Sequence, residues 1–262
     1  MKNKFLIICA AIFFVAIGTQ AQTDTMYFYK NGTVIDKIAT NTFDSITYLK
    51  KNPYLNPNIN YGSVMDIDGN TYATVSIGSQ VWMAENLKTT RYNDGTLITN
   101  LSDNGTWTTT SSPAMCWLSN NIYYKNVYGG LYNWYAVDIT ATGGRNICPT
   151  GWHVPTNAEW TKLTTYLGGE SVAGGKLKET GTTHWLSPNI GATNESGFTA
   201  LPGGNRMVNG TLYGIEMNGY WWCANEVDTN IAWYRWMNII ESKVNSSNII
   251  KKMGYSVRCL KN

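Results

Sequence analysis

Charge is scarce in this chain: Asp, Glu, Lys and Arg make up 14% of its 262 residues, against about 25% in ordinary soluble domains. What there is nearly cancels, with 20 Lys plus Arg facing 17 Asp plus Glu. Two of those lysines, Lys2 and Lys4, sit in a start that reads as a removable leader. Without them the balance is 18 against 17, a net charge of +1. A nearly neutral chain excludes strong electrostatic attraction to nucleic acid or to an anionic membrane surface. Histidine is scarcer still, with only His153 and His184. No zinc-ligand spacing, Ser-His-Asp order or phosphate-binding Gly loop stands out. The expectation is therefore no enzyme, no catalytic residue, no metal ligand and no cofactor. Long apolar runs are missing too: residues 5–17 fall short of the ~20 needed to span a bilayer, so no transmembrane anchor is expected in the mature chain.

That short apolar run has its own meaning. Lys2 and Lys4, the apolar stretch 5–17 and the small or polar ending Thr19-Gln20-Ala21 are the three parts of a secretory signal. Residues 1–21 are expected to be removed, with cleavage between Ala21 and Gln22. The mature protein is then secreted or displayed on the cell surface, or retained in the periplasm. Cys9 leaves with the signal. Cys116, Cys148, Cys223 and Cys259 remain, in a compartment that permits disulfides. Four cysteines allow three pairings, among which the residues themselves do not choose.

Aromatics and glycine are plentiful: 11 Trp, 17 Tyr and 25 Gly. So many rings exceed what one core is expected to hide, which predicts some Trp and Tyr on the surface as contact residues. Residues 22–49 read as a short strand segment, in which residues 26–29 and 34–38 flank Asn31-Gly32, a dipeptide suited to a tight hairpin turn. A third strand is expected over residues 43–48. Residues 50–61, with Pro53, Pro57 and four Asn, read as a linker. A domain of about 200 residues follows over 62–262, a reasonable size for one core. In it, Asp66-Ile-Asp-Gly-Asn70 reads as a turn between strands. It imitates the start of a calcium loop, but the twelfth position, where a bidentate Glu belongs, is Ile77.

Helical spacing of Leu131, Trp134 and Tyr135 predicts a helix over residues 130–137. A second is predicted after Pro155, where Thr156-Asn-Ala-Glu159 forms a capping box, Trp160, Leu163 and Leu167 line one face, and Gly168-Gly169 stops the run. Gly174-Gly175 and Gly203-Gly204 read as turns. Short strands are expected over 197–202, 219–222, 231–238 and 254–260. Two helices followed by looped strands make an α+β domain.

The motifs Asp66-Ile-Asp-Gly-Asn70, Trp82-Met-Ala-Glu-Asn-Leu87, Cys148-Pro-Thr-Gly-Trp-His-Val-Pro155, Gly197-Phe-Thr-Ala-Leu-Pro-Gly-Gly204, Gly219-Tyr-Trp-Trp222 and Gly254-Tyr-Ser-Val-Arg-Cys259, with the segment 128–137, closely resemble the Fibrobacter succinogenes major paralogous domain over about residues 62–261. The resemblance implies a C-type-lectin-like fold of the formylglycine-generating type, in which two helices pack on a small twisted antiparallel sheet and long irregular loops present the ligand. It implies an exported or outer-surface protein, with no activity established for the family as a whole. It also implies a Cys148–Cys259 bridge, which would close a loop of roughly 110 residues and contribute on the order of 4 kcal/mol. Whether Cys116 and Cys223 pair stays open. A copper-dependent oxidase using Cys223, as in the formylglycine-generating relatives, is the alternative enzyme reading.

Binding is the better class. Between the anchors Ala232-Trp-Tyr-Arg235 and Gly254-Tyr-Ser-Val-Arg258, family members often carry Asn, where this chain has Ile, Ser or Lys at several places. One adenine change converts an Asn codon to one for Ile or Ser, the signature of a diversity-generating retroelement. Ile240, Ser247, Ile249 and Ile250 fit it, and Cys223 fits with two changes. The residues expected to contact a ligand are Trp222, Cys223, Trp236, Asn238, Ile240, Asn245, Ser247 and Ile249. Exposed rings with neighbouring Asn amides suit a glycan. The sugar-binding Glu-Pro-Asn and Trp-Asn-Asp motifs are absent, so a protein ligand is equally open. A structural or adhesion module with no specific ligand is the remaining alternative.

Overall fold

The computed structural model describes residues 25–30, 33–39 and 52–262, the first two stretches by their backbone. The chain divides into two units, Met1–Lys51 and Asn52–Asn262. In the first, β1 (Thr25–Lys30) and β2 (Thr33–Ala39) pair antiparallel with a register shift at Phe28/Tyr29. The expected secretory signal, the Asn31-Gly32 turn and the third strand over 43–48 lie outside the described residues.

The larger unit opens with β3 (Gly62–Met65), β4 (Thr71–Ile77) and β5 (Gln80–Met83). Next come β6 (Thr99–Asn100), α1 (Asn104–Thr109), β7 (Ala114–Trp117), α2 (Lys125–Tyr128), β8 (Gly130–Tyr132), α3 (Trp134–Val137) and β9 (Trp152–His153). The two longer helices are α4 (Asn157–Tyr166) and α5 (Glu170–Leu177). After them run β10 (Gly203–Arg206), β11 (Leu212–Ile215), β12 (Asn218–Glu226), β13 (Ile231–Asn238), β14 (Asn245–Ile250) and β15 (Leu260–Lys261). These strands make three sheets, ordered β11-β10-β12-β13-β14, β3-β4-β5-β15-β9 and β6-β7-β8.

This architecture corrects the expected α+β arrangement of two helices on one small twisted antiparallel sheet, and with it the C-type-lectin-like reading. Sheets dominate, the described helices are short, and two strand pairs, β6 with β7 and β10 with β12, are parallel. The helix expected over 130–137 shows why. Its first three residues are β8, pairing with β7. Asn133 then caps a single turn, its side chain accepting from the Ala136 amide. A strand followed by one helical turn imitates the 3.6-residue spacing that Leu131, Trp134 and Tyr135 suggested.

The capped helix forms as its local code directs. Thr156 accepts from the Glu159 amide while the Glu159 carboxylate accepts from the Thr156 amide, so two otherwise orphaned donors are satisfied. Trp160, Leu163 and Leu167 are buried as expected. Gly168 and Gly169, at φ +100° and +102°, end the run in backbone that L side chains avoid. Immediately after them comes α5, which contains Gly174-Gly175 in a helix rather than a turn. Both glycines serve close approach: a Cβ on Gly174 would collide with the Lys243 carbonyl, and one on Gly175 with the Gly191 carbonyl.

Nine of the 11 Trp are buried, leaving only Trp233 and Trp236 half-buried. The aromatic surplus is absorbed by three clusters rather than one. One gathers Tyr72, Tyr132, Trp134, Trp222 and Tyr255. Another holds Trp82, Trp160, Phe198 and Trp221 between the β12-β13 sheet and α4. The smallest surrounds Trp107 and Tyr128. Buried arginines hold the interior together: Arg235 of β13 donates to Glu170 (2.6 Å), to the Asn157 carbonyl (3.0 Å) and to Thr161 (2.7 Å), tying the sheet to α4 and α5. Cys148 and Cys259 are disulfide-bonded across a separation of 111 residues, as the resemblance implied. Residues 52–61, read as a linker, pack on the larger unit: Leu55 is buried, Asn56 Nδ2 donates to the Asn194 carbonyl (2.9 Å), and Tyr61 donates to the Gly197 carbonyl (2.9 Å).

Candidate functional site

Side chains alternate between the faces of a strand, so register decides which of the expected contact residues can act together. In the antiparallel pairs, Tyr220 lies opposite Trp236, and Trp222 opposite Tyr234. Across the next pair, Trp236 meets Asn245, Tyr234 meets Ser247, and Ala232 meets Ile249. One face of β12-β13-β14 therefore carries Trp236, Asn245, Ser247 and Ile249 together, with Trp222 behind them and Asn238 at the end of β13.

Two of the eight residues are elsewhere. Cys223 follows Trp222 and so turns to the opposite face, into the cluster with Trp160 and Leu163, where it is fully buried. Burial pushes its thiol up to about 12, against the opposing pull of Arg235. Ile240 lies in the connection after β13 and is 66% exposed. Ile250, pairing with Ile231, points away from the face that Ile249 occupies. Trp222 itself is fully buried and donates its indole N–H to the Tyr132 carbonyl at 2.7 Å. It supports the face from below and has no surface to offer a ligand.

Three residues not singled out in the sequence complete the face. The Tyr220 ring stacks on Tyr255 at 5.0 Å and 11°, and on Trp236 at 6.3 Å and 27°. Tyr234 packs on Tyr255 at 5.0 Å, and Trp222 on Tyr255 at 4.5 Å. The result is a ladder of rings, with Tyr255 and Trp222 buried and Tyr220, Tyr234 and Trp236 half-buried at its outer edge. Burial pushes the Tyr220 phenol up to about 12, with Tyr234 and Tyr213 adding to the effect; it stays a neutral donor at ordinary pH. The available signal was the alternation Tyr220-x-Trp222 and Tyr234-x-Trp236, which puts four rings on one side of two neighbouring strands.

A polar rim closes one end. Glu241 Oε1 accepts from Asn238 Nδ2 (3.0 Å) and from Asn245 Nδ2 (2.6 Å), while Asn238 Oδ1 accepts from the Ile240 amide (3.0 Å). The turn bearing these groups is pinned from beneath by fully buried Lys178, whose ammonium donates to the carbonyls of Ile190 (3.0 Å), Asn238 (2.9 Å) and Glu241 (3.0 Å). Desolvation lowers its pKa to about 8, with Glu241 acting in the opposite sense.

The other candidates have structural partners. Asp66 accepts from the amides of Asp68 and Asn70, from Asn70 Nδ2 and from the Tyr72 hydroxyl, so its carboxylate is spent on the turn it sits in. His153 lies between Asn262 (2.6 Å) and Glu159 (3.0 Å). Cys116 is unpaired and buried in a different cluster from Cys223, its thiol raised to about 11 by burial.

The family model described as Fibrobacter succinogenes major domain matches residues 75–261. The chain belongs to that family. The match takes in all of the aromatic face, its rim and both disulfide cysteines, while β3 and residues 52–61 precede it. No curated protein and no solved structure matches the chain. Membership suggests a surface or extracellular protein, and the Cys148–Cys259 disulfide is consistent with that setting. Among the described residues, no helix is long and apolar enough to cross a membrane.

Proposed function

We propose that this member of the major domain family is exported and binds a glycan on the ring ladder of β12-β13-β14. The observation that carries the reading is the stacked Tyr220–Trp236 pair, half-buried at the outer edge of the ladder and resting on buried Tyr255. Flat rings held from behind lose little freedom on binding and suit the C–H face of a sugar. Beside them Asn245 and Ser247 supply donors and acceptors for hydroxyls, and Glu241 holds the Asn245 amide in one orientation. A diversified face would vary at Ile240, Ser247 and Ile249. A template repeat beside the coding locus would support that narrower reading, and its absence would end it.

A glycan array probed with the full chain tests the proposal. Binding that is lost in Tyr220→Ala and Trp236→Ala supports it. An empty array accompanied by specific capture of one surface protein would favour a protein ligand on the same face. No ligand in either assay would leave a structural module as the better account.

A further inference from the structure

A second feature of the larger unit lies apart from the ring ladder. Residues 53–58 face the stretch from Glu179 to Asn194 across a cavity of about 580 Å³, within the range of small-ligand sites. Among the described residues, Glu179 is the only charged one of its lining. Its side chain is 6% exposed, and both carboxylate oxygens lie 2.9 Å from a single donor, His184 Nδ1. A carboxylate has about four lone-pair sites, so among the described residues most of its accepting capacity is unspent. A buried acceptor in that state is costly unless something supplies donors. His184 cannot turn to supply more, since Tyr54 packs edge-on against its ring at 4.2 Å and Tyr128 at 5.7 Å.

The rest of the wall narrows the chemistry. Thr180, Thr183 and Thr193 bring hydroxyls that no protein group engages among the described residues, while Pro53, Tyr54 and Pro57 bring apolar surface. Among the described residues no Lys or Arg lines the cavity, so an anionic ligand would meet the Glu179 carboxylate with His184 alone to offset it. Hydroxyls, one buried anion and a tyrosine ring suit a ligand that is hydroxylated, donor-rich and neutral or cationic.

We propose that this cavity is a second, separate ligand site that takes an amino sugar, its ammonium on Glu179 and its hydroxyls on the threonines. One wall of the site comes from residues 53–58, which precede the matched family region, and the other comes from inside it. This site is therefore a property of this chain's lead-in segment as much as of the family domain.

Saturation-transfer NMR on the full chain tests it with three probes: glucosamine, glucose and glucuronate. The expected order of affinity is glucosamine, then glucose, with no transfer to glucuronate. Thr183→Trp and Thr193→Trp, both at exposed positions of the wall, should each weaken glucosamine at least tenfold by filling the cavity, with the domain still folded at the assay temperature. Absence of transfer to glucosamine, equal binding of glucuronate, or glucosamine binding indifferent to both tryptophan variants would overturn the proposal. Binding on the ring ladder follows Tyr220 and Trp236, whereas binding here follows Thr183 and Thr193, so either reading can fail without the other.

Discussion

Replacing Asn86 by Ala should come close to unfolding the larger unit, although the change removes one small side chain. Asn86 is 4% exposed and uses both ends of its amide. Its Oδ1 accepts from Trp221 Nε1 (2.9 Å) and Arg258 Nε (2.8 Å), and its Nδ2 donates to the Tyr128 carbonyl (2.9 Å). The alanine variant leaves a buried indole N–H, a guanidinium N–H and a carbonyl without partners. At about 1–3 kcal/mol for each neutral orphan and more for the charged one, the loss is about 4–7 kcal/mol. That is a large share of the ~5–15 kcal/mol by which a domain is ordinarily stable. Arg258 cannot recover by moving, because its other nitrogens already donate to the carbonyls of Phe198 and Thr199, and desolvation has lowered its pKa to about 9. Asn86→Asp should cost less, since a carboxylate still accepts from Trp221 and Arg258 and loses the donations to the Tyr128 carbonyl and Ser256 Oγ. Urea unfolding followed by tryptophan fluorescence, with the m-value checked for each variant, measures both. A loss below about 1.5 kcal/mol for Asn86→Ala at unchanged m, or a larger loss for Asp than for Ala, would refute the reasoning.

Reduction of Cys148–Cys259 should cost roughly 4–5 kcal/mol by the chain-entropy scale for a loop of this length, read as a lowered melting temperature in dithiothreitol. Cys116 and Cys223, buried with thiols raised to about 11 and 12, should resist iodoacetamide at pH 8 in the native chain and react once it is unfolded, as counted by mass spectrometry. Lys178 titrates near 8 when folded against 10.5 ordinarily. Between those values the unfolded chain binds more protons, so its contribution to stability grows as pH rises through that window and is lost as pH falls through 8. Denaturation curves from pH 7 to 10 should show this rise in the wild type, and Lys178→Met should flatten it. Thr156→Ala should cost about 1–2 kcal/mol through the lost cap, largely restored by Thr156→Ser.

What could be read from the chain was whatever is coded within a few residues. The Thr156–Glu159 box announced α4, the short strand expected over 231–238 is β13, and the turn at Asp66 to Asn70 joined two strands as expected. Pairing between distant segments left no local mark: β15 joins β5 and β9 through one or two residues each, and β10 lies parallel to β12 at a single pair. The sheet-dominated architecture lives in those pairings, which no local pattern announces. Gly174 and Gly175 misled in the other direction, since glycine demanded by close backbone packing looks the same as glycine demanded by a turn. Among the contact residues, Trp222 ends the Gly219–Trp222 motif and Cys223 fits the codon pattern with two changes, and both are buried. Trp236, Asn245, Ser247 and Ile249 share one face because their spacing respects the two-residue period of a strand.

The central claim is that the ring ladder is where this protein meets its ligand. The most direct measurement is the dissociation constant of the strongest glycan found on the array, for the wild-type chain and for Trp236→Ala, with unfolding curves recorded on both. Truncating a stacked, half-buried ring at the centre of a contact costs about 2 kcal/mol or more, some 30-fold in affinity, with stability changed little enough that the domain stays folded at the assay temperature. A dissociation constant unchanged by that substitution, in a chain that remains folded, would contradict the account.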